Sequence, residues 1–128
     1  MIPRFRAWDD WRKRMSVVDR IYIDTKGVRL YDDFGEYWRN FRDAKLMQST
    51  GLKDKNGKEI FEGDILACKT DDEVINLNIF WDEEHALFMF ESKKYNEQEP
   101  LAELVENNTY PFEIIGNIYE NPELLEDK

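Results

Sequence analysis

Apolar positions along this chain recur at every second residue or run together for four or five, with polar clusters between them, and the pattern predicts short strands. Phe5-Arg6-Ala7-Trp8 alternates like an extended segment, and Asp9 to Arg14 is polar enough for a turn or exposed loop. Met15 to Val18 and Ile21 to Ile23 supply β-branched and aromatic residues, and Lys26-Gly27 reads as a turn. Val28 to Tyr31 alternates as the return strand of a hairpin, ended by Asp32-Asp33. Glu36 to Arg42 fits two readings: Tyr37, Trp38 and Phe41 share one helical face at i, i+1, i+4 spacing, but a strand is equally compatible.

The later part of the chain repeats the theme. Asp71-Asp72-Glu73 predicts a turn, and Val74 to Trp81 a strand with Asn76 and Asn78 towards solvent and Ile75, Leu77 and Ile79 inward. Asp82-Glu83-Glu84 turns the chain again, and the apolar run Ala86 to Phe90 predicts a strand buried on both faces. Lys93 to Glu99 reads as polar loop, and Pro100 to Val105 as one or two helical turns with an early proline. Thr109 to Tyr119 reads as a closing strand with a bulge at Gly116. Asn121-Pro122-Glu123 then offers an N-cap, an N1 proline and an acidic first turn, hence a brief terminal helix.

Between these halves lies Leu46–Leu66, around which the rest is organised. Asn56-Gly57 tolerates positive φ at both central positions of a type I′ turn, so it predicts a tight hairpin. Glu59 to Glu62 then enters a pleated surface, Gly63 marks a bulge or close backbone approach, and Asp64 a polar turn. Ile65-Leu66-Ala67-Cys68 follows as an apolar run of strand length, as at the entry corner of a small barrel.

The segment Leu46 to Ile65 resembles the hallmark stretch of the YopX family of phage and prophage proteins. The opening Pro3-Arg4-Phe5-Arg6-Ala7-Trp8-Asp9 and the closing Ile115 to Leu124 are similar to that family's two ends, in the same order along the chain. The resemblance implies a mainly β fold with a C-terminal SH3-like, partly open barrel, assembly as a homo-oligomer, and a phage or prophage origin. The family carries no assigned molecular function, so it transfers no catalytic residue.

Composition narrows the reading further. A chain of 128 residues suits one domain, or a domain with an arm. The expected division is an N-terminal β or α+β arm over residues 1–45, serving oligomerisation, and a barrel over 46–128. Eighteen aromatic residues can fill a thin core, each large ring contributing roughly 1.5–3 kcal/mol when buried. Charge divides sharply: residues 1–45 hold 11 Lys/Arg against 8 Asp/Glu, whereas 46–128 hold 7 against 20. A basic arm and an acidic body can attract each other across neighbouring subunits. The lone Cys68 excludes an internal disulfide and reads as buried filler. Neither a signal-peptide core nor an apolar run of membrane-spanning length is evident, so a cytoplasmic protein without membrane contact is expected.

Candidate chemistry is sparse. Asp54-Lys55-Asn56-Gly57 looks like the middle of an EF-hand loop, but that alignment sets Leu52 and Gly63 where the first and last carboxylates belong. His85, beside Asp82-Glu83-Glu84, lacks metal-ligand spacing, and adjacent turn residues are expected to point apart. Glu62 and Asp64 make a near pair of the kind chance supplies among 28 acidic residues. The chain holds neither a phosphate loop nor a nucleophile elbow. No catalytic, cofactor-binding or metal-ligating residue is assigned, no cofactor is expected, and the protein reads as a non-enzyme.

Two binding classes remain. Arg4, Arg6, Arg12, Lys13 and Arg14 interleave with Phe5, Trp8 and Trp11, a composition suited to phosphates and stacked bases. A net charge of −10 opposes nucleic acid unless that arm stands apart. The favoured class is a self-associating protein-interaction module with a host or phage protein as a candidate partner, whose acidic part could also occupy a host protein's DNA-binding face.

Overall fold

A computed structural model describes residues 4–107 and 110–126 of the chain. The Pro3 and Thr109 of the expectations above lie outside the described residues. The chain divides into two compact units, one ending at Ser49 and the other beginning at Thr50. The elements are mainly β, in antiparallel sheets that are not closed into a barrel. Among the described residues, no helix is long and apolar enough to cross a membrane.

The first unit is a meander. β1 (Phe5–Asp9), β2 (Arg14–Tyr22), β3 (Gly27–Asp32) and β4 (Gly35–Asn40) pair in sequence, and β5 (Ala44–Lys53) returns to the free side of β1. Pairing of Phe5 with Gln48 and of Asp9 with Ala44 sets that last register. Ala7, Val28, Leu30 and Ala44 are buried together, with Val18, Ile21, Tyr37 and Phe41 packed against them. These residues share one face because cross-strand partners point the same way: Val28 opposes Arg39 and Leu30 opposes Tyr37. The two apolar stretches of β2 are one strand with an irregularity between Val18 and Arg20. Residues 36–40 are strand rather than helix, because hydrogen bonding to β3 outweighs the local helical spacing. Ile23 leaves β2 for the turn and is 77% exposed.

The second unit begins with the far half of β5, beside which lies β6 (Glu59–Phe61). β7 (Asp64–Lys69), β8 (Val74–Asp82), β9 (Leu87–Ser92) and β10 (Glu97–Pro100) form a second meander. After α1 (Leu101–Asn107), β11 (Phe112–Asn117) comes back to pair with β7. The core joins Ile60, Leu66, Cys68, Leu77, Ile79, Leu101 and Phe112. The segment expected as polar loop contains β10, since an edge strand exposed on both sides needs no apolar alternation. Gly116 sits at the expected bulge, where the pairing shifts between Ile114 and Gly116 and Ile115 is left 38% exposed.

Two corrections concern turns. At Asn56-Gly57 only Gly57 has positive φ (77°), so the loop is not type I′. The amide of Gly57 donates to Asp54 O at 3.0 Å and that of Asp54 to Lys58 O at 2.9 Å, a three-residue loop closed by a left-handed glycine. The Asp54 carboxylate dictates this: Oδ1 accepts the amides of Asn56 and Lys58, both at 2.9 Å, and Oδ2 accepts the amide of Ile114 at 3.0 Å. At the C-terminus, residues Pro122–Leu125 form a short 3₁₀ turn whose Asn121 makes no side-chain cap. Asn121 Oδ1 instead accepts the Asn117 amide at 3.2 Å. This turn lies over β8, where Asn76 Nδ2 donates to Leu124 O at 2.8 Å, so Asn76 is half-buried rather than turned to solvent.

Four hairpins share one loop geometry, each closing on a left-handed residue that is not glycine: Lys13, Lys26, Ala86 and Asn96. In three of them the residue that ends the incoming strand caps the loop. Asp9 Oδ1 accepts from Trp11 and Arg12, Asp82 Oδ1 from Glu84 and His85, and Ser92 Oγ from Tyr95.

Burial raises the cost of charge at Asp54, but its three amide donors outweigh that and hold the carboxyl below its ordinary range. The stabilisation it provides is present above an unfolded pKa of about 3.9 and is lost as pH falls through the lower folded value. Asp54→Ala is expected to cost about 2–4 kcal/mol in urea unfolding. Asp54→Asn, which cannot accept at both positions, falls between and shows a flatter acid limb; equal acid limbs would refute the assignment. Ala86→Gly relieves left-handed strain and should raise stability by up to about 1 kcal/mol, a gain readable as a higher thermal midpoint.

Candidate interaction surface

The loop between β1 and β2 and the exposed edge of the first unit bring together side chains that are far apart in sequence. Asp9, at the end of β1, is fully buried. Its Oδ1 holds the amides of Trp11 and Arg12 and receives Arg39 Nε at 3.2 Å. Its Oδ2 is buried without a hydrogen-bond partner. Arg39 reaches this carboxylate because its position on β4, opposite Val28, directs it across the core face. Its guanidinium lies 4.9 Å from the Trp11 ring centre and 4.6 Å from that of Tyr37, with only 15% of the side chain exposed.

A second carboxylate organises the neighbouring arginines. Asp32 Oδ2 receives Arg14 Nη1 at 3.0 Å and the Tyr37 hydroxyl at 3.3 Å, with Arg12 Nη1 at 3.5 Å. Oδ1 accepts the Phe34 amide at 2.8 Å. That amide bond, with the Arg14 and Tyr37 contacts, holds Asp32 below the usual carboxylate range despite the opposing effect of burial. Arg12 rests 4.2 Å above Tyr37, and Arg14 lies 5.2 Å from Phe34. Ser16 Oγ fixes the Tyr37 hydroxyl at 3.0 Å. Three planar cations are thus held against aromatic rings by two carboxylates, while Trp11 and Phe34 stay 70% and 77% exposed. The arrangement presents flat, amphipathic groups in fixed positions.

The basic aromatic strip expected from the sequence is divided by this geometry. Arg12, Lys13, Arg14 and Trp11 belong to the network or its loop. Trp8 is 7% exposed, Phe5 and Arg6 are half-buried on β1, and Arg4 and Arg6 are engaged elsewhere. Sequence reasoning missed Asp9, Asp32, Tyr37 and Arg39. Only the Asp-x-x spacing before the turn signalled one of them, as a loop cap.

The second unit places the remaining candidates apart. Glu62 is half-buried, while Asp64 is 2% exposed and its Oδ2 accepts the Phe61 amide at 2.8 Å, the work of a turn residue. Cys68 is buried, and desolvation pushes its thiol up. Asp82, Glu84 and His85 do not point apart as expected: their ligand atoms lie within 4.8 Å of one another. Asp82 Oδ2 is 2.8 Å from His85 Nδ1, and this bond holds the Asp82 carboxyl below its ordinary range. The turn's shape explains the convergence, since Asp82 Oδ1 draws the amides of Glu84 and His85 inward.

These features define an antiparallel β protein of two units. The sequence matches the family model described as YopX protein over residues 4–126, and the chain belongs to the YopX family. It is similar to protein EF1440 of Enterococcus faecalis, known from a crystal structure, at 30% identity and a TM-score of 0.67, covering 98% of this chain and 99% of that one. It also shares its fold with yopX of Bacillus subtilis, at 20% identity and a TM-score of 0.67, covering 96% and 98% of the two chains. A comparison with curated proteins finds no match.

Removing Arg39 leaves Asp9 buried and uncompensated. Arg39→Met is expected to cost about 3 kcal/mol or more in chemical denaturation, and Asp9→Asn in the same chain should recover much of that loss. Arg39→Lys keeps the charge but loses the flat stacking on Trp11 and Tyr37, so an intermediate cost is expected. Additive effects of Arg39→Met and Asp9→Asn would show the pair to be uncoupled.

Proposed function

We propose that this chain is a non-enzymatic accessory protein of phage or prophage origin that associates with copies of itself and acts through protein contacts. The observation that carries the reading is the fixed Arg–aromatic network of the first unit. Trp11 and Phe34 are exposed beside Arg12, Arg14 and Arg39, whose geometry is set by Asp32 and Asp9. Anchors of this kind lose little freedom on docking, and Trp, Tyr and Arg dominate the energetics of protein interfaces. The charge division supports attraction between a basic region of one copy and an acidic region of another. The phage origin rests on the family resemblance alone.

An SH3-like grouping of the second unit is supported by its strand order, β10-β9-β8-β7-β11, with a helical turn just before the last strand. Small modules of this type commonly bind other proteins, an analogy of fold. A second reading turns the same network towards single-stranded nucleic acid, and the exposed Trp11 beside Lys13 favours it. The sharing of Arg12 and Arg14 by Asp32 weighs against it, because those cations are already neutralised in part.

Affinity capture of the tagged protein from host lysate, with and without nuclease, separates the two, with light scattering to give the mass. A defined oligomer, alone or with a stoichiometric host protein and unaffected by nuclease, is the expected result. Charge reversal at Arg12, Lys13 and Arg14 should then weaken that assembly or capture. Retention of DNA that the same reversal abolishes would favour the nucleic-acid reading instead.

A further inference from the structure

The three arginines of the first unit differ in how far they are committed. Arg39 is fully engaged: its Nε binds Asp9, its Nη1 donates to Trp38 O at 3.0 Å, and its side chain is largely buried. Arg14 gives only Nη1 to Asp32, at 3.0 Å, and Arg12 merely approaches the same oxygen, at 3.5 Å. Among the described residues, neither guanidinium has another hydrogen-bond partner. Most of each planar fork of N–H donors is therefore open, and 41% of each side chain is exposed. The forks are nonetheless held in place, Arg12 against Tyr37 and Arg14 against Phe34. Exposed indole and phenyl rings stand beside them, at Trp11 and Phe34.

The surrounding charge limits what can bind. Asp10 pairs with Lys45 at 3.8 Å, Glu36 pairs with Arg29, and Asp9 is matched by Arg39. Asp33 is exposed next to Phe34 and has no partner among the described residues. Arg12, Lys13 and Arg14 thus face Asp32 and Asp33, three cations against two carboxylates. So small a surplus matches a single added carboxylate. It is poorly suited to the successive phosphates of a nucleic acid, which Asp33 also repels.

We propose that Arg12, Arg14, Trp11 and Phe34 form a docking site for an acidic segment of a partner protein. One aspartate or glutamate carboxylate of that segment takes the open donors of Arg12 and Arg14, and a flat side chain next to it stacks on Trp11 or Phe34. This names the partner chemistry of the protein contacts put forward above and rests on that reading. Asp32 already shows the match, since one of its carboxylate oxygens lies within 3.5 Å of a nitrogen from each guanidinium. Bonds from an arginine fork to a carboxylate are charge-assisted, and stronger than those to a neutral amide of the same shape. Because the rings and Asp32 fix both arginines before docking, little side-chain freedom is lost on binding.

The test uses the full chain and three fluorescein-labelled probes. These are a short peptide of alternating Glu and Tyr, the same peptide with Gln for Glu, and a thymidine oligonucleotide of equal length. Anisotropy titrations should give about tenfold tighter binding of the Glu peptide than of the Gln peptide, an advantage that shrinks as salt is raised. Arg14→Lys keeps the charge but loses the planar fork, and should remove most of that advantage. Trp11→Ala, at an exposed position, should weaken both peptides alike while leaving the circular dichroism spectrum unchanged. Equal affinity for the two peptides, or tighter binding of the oligonucleotide, overturns the proposal. Light scattering on the same samples separates this site from self-association. An oligomer that binds neither peptide keeps self-association and loses the site, and a monomer that prefers the Glu peptide does the reverse. An oligomer that the Glu peptide dissociates gives the site to a second copy and overturns the partner segment.

Discussion

One carboxylate holds the second unit to its shape. Asp54 sits at the end of β5 and is 7% exposed, yet it serves three main-chain donors, two in its own loop and one on β11. The local pair forces the loop that starts β6. The distant one seals the outer margin of the sheet's last strand, the place where a chain of this kind is most open to unwanted pairing. A hydroxyl or an amide could cap the loop, but a doubly accepting, ionised group is needed to do that and reach Ile114 as well. The similarity to the middle of a calcium loop follows from the same demand. In both settings an aspartate followed by Asn-Gly folds the backbone around its own oxygens; here the ligands are amides.

The first unit is held by a different device. Its apolar core is small, since Ala7 and Ala44 contribute little area beside Val28 and Leu30. Arg39 and Tyr37 complete the same face, and Asp9 satisfies the guanidinium that this brings in. Burying such a pair contributes little net stability compared with a hydrophobic replacement. What it does contribute is position: Asp9 holds the Arg39 guanidinium over Trp11 and Tyr37, and Arg12 stacks on the same Tyr37 ring. A unit that stabilised itself purely with aliphatic side chains would present no such surface.

Much of the β architecture was legible in the sequence because strand signals here are local. Alternation in Val28 to Tyr31 and the continuous run Ile65 to Cys68 report directly on half-buried and fully buried strands. The Gly116 bulge was legible because glycine inside a strand pattern has few other uses. β10 was not, since a strand exposed on both sides carries no pattern distinct from a loop. Helical spacing at Tyr37, Trp38 and Phe41 competed with strand for a similar reason: six residues admit both periods, and the pairing with β3 that decides between them lies seven or more residues away. The Arg–aromatic cluster was half legible. Arg12, Lys13, Arg14 and Trp11 are contiguous, whereas Asp32, Tyr37 and Arg39 join them only through the register of β2, β3 and β4, which no spacing in the sequence encodes.

The bond from Asp54 to Ile114 also has a consequence in time. Most strand pairings in both units join neighbours along the chain and can form as soon as each hairpin leaves the ribosome. Asp54 and its partner amide are separated by 60 residues. At a synthesis rate of roughly 5–20 residues per second, the carboxylate waits several seconds with one oxygen unmatched, and the margin that β11 will fill on β7 stays open for a comparable interval. During that interval β7, the most deeply buried strand of the finished unit, has one side bare. The nascent protein therefore passes through a stage in which the edge of a strand destined for burial is available to whatever lies nearby, including an identical chain on the same message.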